Sequence, residues 1–271
     1  VQVAYEREPD FFHGMDIQGP FHQVVAAMED GNLLGFGCRS VRPLFINGEE
    51  RDFGYLSSLR SSLQGKRRLG LSRAFRLFKD LHADGRCTGY ITTIIEGNRE
   101  ALHTIASGRA GLPHYLDLGR CETHAIPVRR RNGIQPTGYI QVRSAQKGEE
   151  DLVIALLHQW GPGSQFFPAL RKEDFGTALL RNLNVTDFLI AEQDHQPCGI
   201  AAVWDQSAFK QHRIQAYSPM LKVSRPLLNL GLRIGVTILF RRLEESSGKP
   251  PCVSGRLAIR IDAELLQGLQ D

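Results

Sequence analysis

Apolar and polar positions alternate weakly from His22 to Met28, break at Glu29-Asp30-Gly31-Asn32, and resume from Leu33 to Arg42 and on through Pro43 to Ile46. Asn47-Gly48 follows, a pair suited to a two-residue hairpin because both positions accept positive φ. Glu50 to Ser61 then carries Phe53, Tyr55, Leu56 and Leu59. This stretch predicts a meander of three antiparallel strands. The period then lengthens. Leu71, Ala74, Phe75, Phe78 and Leu81 recur at three- and four-residue steps between Arg73, Arg76, Lys79 and Asp80, which predicts an amphipathic helix ending near Asp84-Gly85. Thr88 to Ile95 is rich in β-branched residues, as a strand covered on both faces would be. Asn98 is placed to cap a short helix carrying Ala101, Leu102, Ile105 and Ala106, with Gly108 as its terminator. Tyr115 to Leu118 and Cys121 to Val128 read as a closing pair of strands around Gly119.

The second half reads as an imperfect copy of the first. Asp187 to Tyr217 repeats the order of His22 to Tyr55: a strand, an acidic turn, a glycine (Gly35 or Gly199), a strand, a polar bend and a strand ending in Tyr. Gly138 to Arg143 predicts a strand before it, and Glu149 to Trp160 a helix with Leu152, Ile154, Ala155, Leu156 and Leu157. After Tyr217 no basic, glycine-containing loop opens a helix, and Glu244 to Asp271 matches nothing in the first half. The expected organisation is therefore a first domain over 1–128, a linker over 129–137, and a second, incomplete domain over 138–271. The fold class is α/β (α+β): a mixed, mostly antiparallel sheet flanked by helices, with a second partial copy.

Composition narrows the function classes. The chain has 271 residues, 42% of them hydrophobic and 23% charged, enough for one large domain or two ordinary ones. Five scattered cysteines (Cys38, Cys87, Cys121, Cys198 and Cys252) without a CxxC pair argue against a disulfide framework and against a zinc site, so no metal and a reducing, cytoplasmic setting are expected. The apolar run Leu227 to Phe240 is short and carries Arg233, so no membrane partner is expected. The chain opens on Val1 and not on Met, so a natural beginning is expected to precede it. A net charge of +4 is mild. The basic clusters Lys66-Arg67-Arg68 and Arg129-Arg130-Arg131 lack interleaved aromatics, so no nucleic-acid partner is expected either.

The candidate chemistry lies in Tyr55 to Ser72, which runs from a strand through a basic, glycine-containing loop into a helix. The first amides of a helix lack internal partners and sit at the positive end of its dipole, so an anion satisfies both. Gly65 and Gly70 let the main chain approach a phosphate, while Lys66, Arg67 and Arg68 add charge. Neither a GK[ST] nor a GxGxxG pattern is present. The whole order resembles the GNAT acetyltransferase superfamily, whose signature Arg/Gln-x-x-Gly-x-Gly/Ala opens the helix after the fourth strand. Arg67-x-x-Gly70-x-Ser72 fits it with Ser in the last small position, and Asn98 with Ala101 resembles the second conserved block. The resemblance covers roughly residues 20 to 128 and reaches the second half only as a partial repeat.

That resemblance implies acetyl-CoA as cosubstrate, held where two parallel strands splay apart. The implied cofactor-binding residues are Leu59, Arg60, Ser61, Lys66, Arg67, Arg68, Leu69, Gly70, Leu71, Ser72 and Asn98. It implies direct attack by an amine acceptor, whether a small molecule, a peptide or a protein. Glu96 is the first choice for the base and Tyr115 for the acid, with His103 as a substitute, because the superfamily's Tyr is absent near Ile105. A CoA-binding module without turnover is the alternative. The second half is expected either to supply an acceptor wall from Trp204, Phe209 and Tyr217 or to act by packing alone. Oligomeric state is not legible.

Overall fold

The computed structural model describes residues 2–61, 69–105, 114–124, 140–216 and 252–261. The first half runs β1 (Gln2–Glu6), α1 (His13–Asp16), β2 (Phe21–Glu29), β3 (Asn32–Ile46), β4 (Glu49–Ser61), α2 (Leu69–His82), β5 (Gly89–Ile95), α3 (Arg99–Ile105) and β6 (Leu116–His124). The second contains β7 (Ile140–Ser144), α4 (Glu150–Trp160), β8 (Phe167–Pro168), β9 (Phe188–Gln193), β10 (Gln196–Ala202), β11 (Gln211–Ala216) and β12 (Cys252–Ile261).

The meander forms as the alternation predicts, with β3 continuous through Pro43. Its turns are left-handed pairs, Asp30-Gly31 (φ 49° and 79°) and Asn47-Gly48 (φ 51° and 82°), whose twist matches the flanking strands. The strand order is β2-β3-β4-β5-β12-β6, with β8 paired to β3. Among the described residues only the β4–β5 pair is parallel, as the crossover through α2 requires. Phe75 and Phe78 of α2 are buried against Val41, Leu56, Tyr90, Ile94 and Ile105, so α2 and α3 cover one face of this sheet.

Three sequence expectations are corrected. The closing pair of strands around Gly119 is one strand, β6, in which Gly119 takes φ 99° near a register shift. Its partner comes from the far end of the chain. β12, inside the stretch that matched nothing, lies between β5 and β6 and is antiparallel to both. The copied meander is also incomplete. β9 and β10 form a hairpin through Asp194 and His195 (φ 50° and 63°), but the third strand, β11, pairs with β1. In the second half α4 packs on a three-stranded sheet, β10-β9-β7, through a core of Val153, Leu156, Leu157, Phe188 and Ile190. The expected linker, 129–137, lies outside the described residues.

The β4–β5 contact itself depends on a glycine. A Cβ on Gly54 would lie 2.2 Å from Cδ1 and 2.4 Å from Cε1 of Tyr90, a residue 1% exposed. The Tyr90 hydroxyl accepts from Arg39 Nε at 2.7 Å, so the ring has no free direction of escape. Gly54→Ala is expected to destabilise the protein by about 2 kcal/mol through overpacking, read as a lower urea midpoint at constant slope. An unchanged midpoint would show that the ring can move. Among the described residues no helix is long and apolar enough to cross a membrane.

Candidate functional site

β4 and β5 are paired at only two positions, Gly54 with Tyr90 and Tyr55 with Ile91. Beyond them the strands run on, β4 to Ser61 and β5 to Ile95, without a ladder between them. This is not fraying. β4 stays paired with β3 as far as Ser61, and β5 stays paired with β12 along its whole length. A gap therefore opens inside a sheet whose outer edges are fixed.

Its cause is local. Cys38 faces Ser57 but Phe36 faces Arg60, so β4 carries one extra residue opposite Gly37. That residue is Ser58, at φ 55°. A bulge with a left-handed residue bends its strand and increases the twist, which turns the end of β4 away from β5. At the mouth of the gap Thr92 Oγ1 donates to the Leu56 carbonyl at 3.3 Å, and the Tyr55 and Thr93 hydroxyls lie 2.8 Å apart. Side chains stand there in place of the ladder.

α2 is aligned with this gap. Its C-terminal His82 lies beside Tyr90, in the closed part, with the Tyr90 hydroxyl 3.3 Å from the imidazole. Fourteen helical residues reach about 21 Å back along the strands, which brings the first turn, Leu69 to Ser72, to the splayed end. The order of elements is the one expected from the resemblance to the GNAT superfamily. A meander, a helix, a strand parallel to the meander's last strand, and a bulge that parts the two are its features here.

No protein-family model matches the chain, and no curated protein matches it significantly. Solved structures to which it is similar include a GCN5-related N-acetyltransferase from Anabaena variabilis (TM-score 0.46, 11% identity, 96% of this chain and 73% of that one). A probable N-acyltransferase from Enterococcus faecalis gives TM-score 0.45 at 9% identity over 74% of this chain. This chain spans 55% of that protein's length. The Saccharomyces cerevisiae N-myristoyltransferase with bound myristoyl-CoA gives TM-score 0.41 at 10% identity, over 94% and 71% of the two chains. At these scores the likenesses carry no argument about activity.

The residues picked out from sequence fall around the gap unevenly. The Leu59 side chain packs into the core under α2, whereas Arg60 is exposed and its guanidinium donates to the Leu59 carbonyl at 3.3 Å. Leu69, Gly70, Leu71 and Ser72 form the first turn of α2, while Lys66, Arg67 and Arg68 lie outside the described residues. Asn98 caps α3, its carboxamide oxygen accepting from the Ala101 amide at 3.1 Å. Glu96 follows β5 directly and is ion-paired with Arg120 of β6 at 2.9 Å. Tyr115 precedes β6 and packs on the core beneath α2, and His103 is exposed on α3. In the second half Phe209 is fully buried, and the Trp204 indole donates to the Arg181 carbonyl, so neither forms an open wall. Tyr217 lies outside the described residues. Among the described residues no group of three His, Cys, Asp or Glu side chains gathers as a metal would require.

Sequence reading missed the polar centre that holds α2 in place. Arg39 of β3 is fully buried. Its guanidinium meets Asp84 in a two-pronged pair at 2.7 and 2.8 Å, and it also donates to Tyr90 and Gln23. This hydrogen bonding holds the Asp84 carboxyl down at about 2 and raises Arg39, while burial raises the Tyr90 phenol. The signal was an arginine at an inward strand position, two residues from both Gly37 and Val41.

Proposed function

We propose that this chain is an acyl-CoA-dependent N-acyltransferase that moves an acetyl group from acetyl-CoA to an amine acceptor. One observation carries the reading: two parallel strands part inside a sheet whose outer edges remain paired. Such a gap suits an extended amide-bearing arm, which adds to a strand edge through main-chain hydrogen bonds. The arm would begin along β4 at Leu59 and Arg60, and the diphosphate would rest on the first turn of α2 with Lys66, Arg67 and Arg68. The amine lone pair attacks the thioester carbon, the carbon–sulfur bond breaks, the thiolate leaves, and the amine's proton passes to a base. Glu96, at the carboxyl end of β5 and paired with Arg120, is the base we assign. Tyr115 is the acid assigned to the leaving thiolate.

That same ion pair favours a second reading, a CoA-binding module without turnover, because it engages the carboxylate assigned as the base. A screen with acetyl-CoA, CoA, ATP and NAD is expected to show a melting shift for the CoA pair alone. A ligand at a hundred times its Kd adds about 2.7 kcal/mol to native stability. Release of free thiol in the presence of amines separates the enzyme from the module. In the double variant Arg67→Glu, Gly70→Pro the acetyl-CoA response is expected to vanish. Proline is tolerated in a first turn but removes the amide that would meet phosphate. An undiminished shift in the folded variant would remove the site from this loop.

A further inference from the structure

On the sheet face opposite α2, the pleat brings Ser40 and Arg42 of β3 to one side, and Ser40 directly faces Tyr55 of β4. Ser40 is fully buried, and its hydroxyl has no hydrogen-bond partner among the described residues. Arg42 offers five donors. Among the described residues it makes one bond, from a terminal nitrogen to the Ile17 carbonyl at 3.4 Å, and its buried Nε makes none. It forms no ion pair there. Arg181, arriving from the second half, also keeps a buried Nε without a partner, while its terminal nitrogen bonds Asp16 at 3.0 Å. Asp16 adjoins Ile17, so both guanidinium groups converge on the end of α1.

The carboxylates nearby are already committed. Asp16 serves Arg181 and lies 3.9 Å from His22, and Asp174 accepts from the Arg171 amide at 2.8 Å. Burial lowers the Arg42 pKa, and Asp174 only partly offsets that cost. A half-buried guanidinium with a buried, unused Nε beside an unused hydroxyl is what a planar anion satisfies, since its two oxygens match the fork.

We propose that Arg42, with Ser40 beside it and Arg181 as neighbour, binds a carboxylate of the amine acceptor. The proposal rests on the transferase reading for the word acceptor, but the anion site stands without it. Reach supports the link. Ser40 lies about 5 Å from Tyr55 across the strands and about 6.6 Å from Arg42 along β3. Tyr55 is the last residue of β4 paired with β5, where the gap begins. A linear ω-amino acid, whose amine and carboxylate are several atoms apart, spans that distance with its amine toward the gap and its carboxylate on Arg42.

Two arms test this with the full chain. In the first, glutarate and its diamide are compared by thermal shift on the wild type, Arg42→Met and Ser40→Ala. Glutarate is expected to shift the wild type, to lose that effect in Arg42→Met, and to act more weakly in Ser40→Ala, while the diamide does nothing. Equal glutarate shifts in wild type and Arg42→Met would overturn the proposal. Should Arg42→Met fail to fold by circular dichroism, Ser40→Ala decides. It removes a partnerless hydroxyl and should remain stable, so an unchanged glutarate response there also counts against the site. In the second arm, thiol release from acetyl-CoA is measured with linear ω-amino acids, their carboxamides and phosphoethanolamine. The ω-amino acids are expected to exceed carboxamides in kcat/KM by at least about tenfold, a preference that Arg42→Met erases. Equal use of carboxamides, or an Arg42-dependent preference for the phosphate, overturns the carboxylate. If no amine releases thiol while glutarate still acts through Arg42, the transferase reading falls and the anion site stands. If thiol is released without regard to acceptor charge, the reverse holds.

Discussion

Asp84→Asn is expected to cost about 3 kcal/mol of folding stability at neutral pH, because it leaves the buried Arg39 guanidinium without its counter-charge. The low end of the range for broken buried pairs applies, since the Asp84 side chain is 29% exposed while Arg39 is fully buried. The loss falls on the joint between β3, the end of α2 and Tyr90 of β5, and so on the alignment of α2 with the gap. The pH dependence has a definite sign. The folded Asp84 carboxyl titrates at about 2, well below an unfolded aspartate near 3.9. Its contribution is therefore complete above about pH 5 and is lost as pH falls toward 2. Urea midpoints of wild type and Asp84→Asn should converge over that window. A neutral-pH difference under about 1 kcal/mol would mean that water and Gln23 suffice to hold Arg39.

Deleting Ser58 should abolish acetyl-CoA binding while leaving a folded protein. Without the extra residue Ser57 keeps its place opposite Cys38, Leu59 takes the place opposite Gly37 and Arg60 stays opposite Phe36, so the strand keeps its faces and loses its bend. β4 is then free to continue its ladder with β5 past Tyr55 and close the gap. Misplacement of a reacting group by about 1 Å can cost a hundredfold in rate, and closure removes the arm's seat altogether. Thermal shift with acetyl-CoA reads the loss, and circular dichroism reads the fold. A deletion variant that still responds to acetyl-CoA would show that the opening does not depend on the bulge.

Much of this architecture was legible in the chain. The turn pairs at Asp30-Gly31 and Asn47-Gly48, the stripe of Phe75 and Phe78, and the Asn98 cap are local statements, each decided by a few neighbouring residues. The site was legible only as an order of elements with a basic loop. Ser58 looks like any serine in a polar strand, and its left-handed conformation exists only because Gly37 and Cys38 fix the register opposite it.

Taken by itself, the sequence determined which segments become strand or helix, where the hairpins turn, and which side of each element is apolar. Those features depend on side-chain periodicity and on backbone freedom at single residues. Tertiary structure alone decided that β12 joins β5 and β6, that β11 meets β1 instead of β10, and that Arg39, Asp84 and Tyr90 meet beneath α2. The physical reason is that strand pairing is made by main-chain amides and carbonyls, which are alike in every residue. A strand's pattern therefore names its buried face but not its partner.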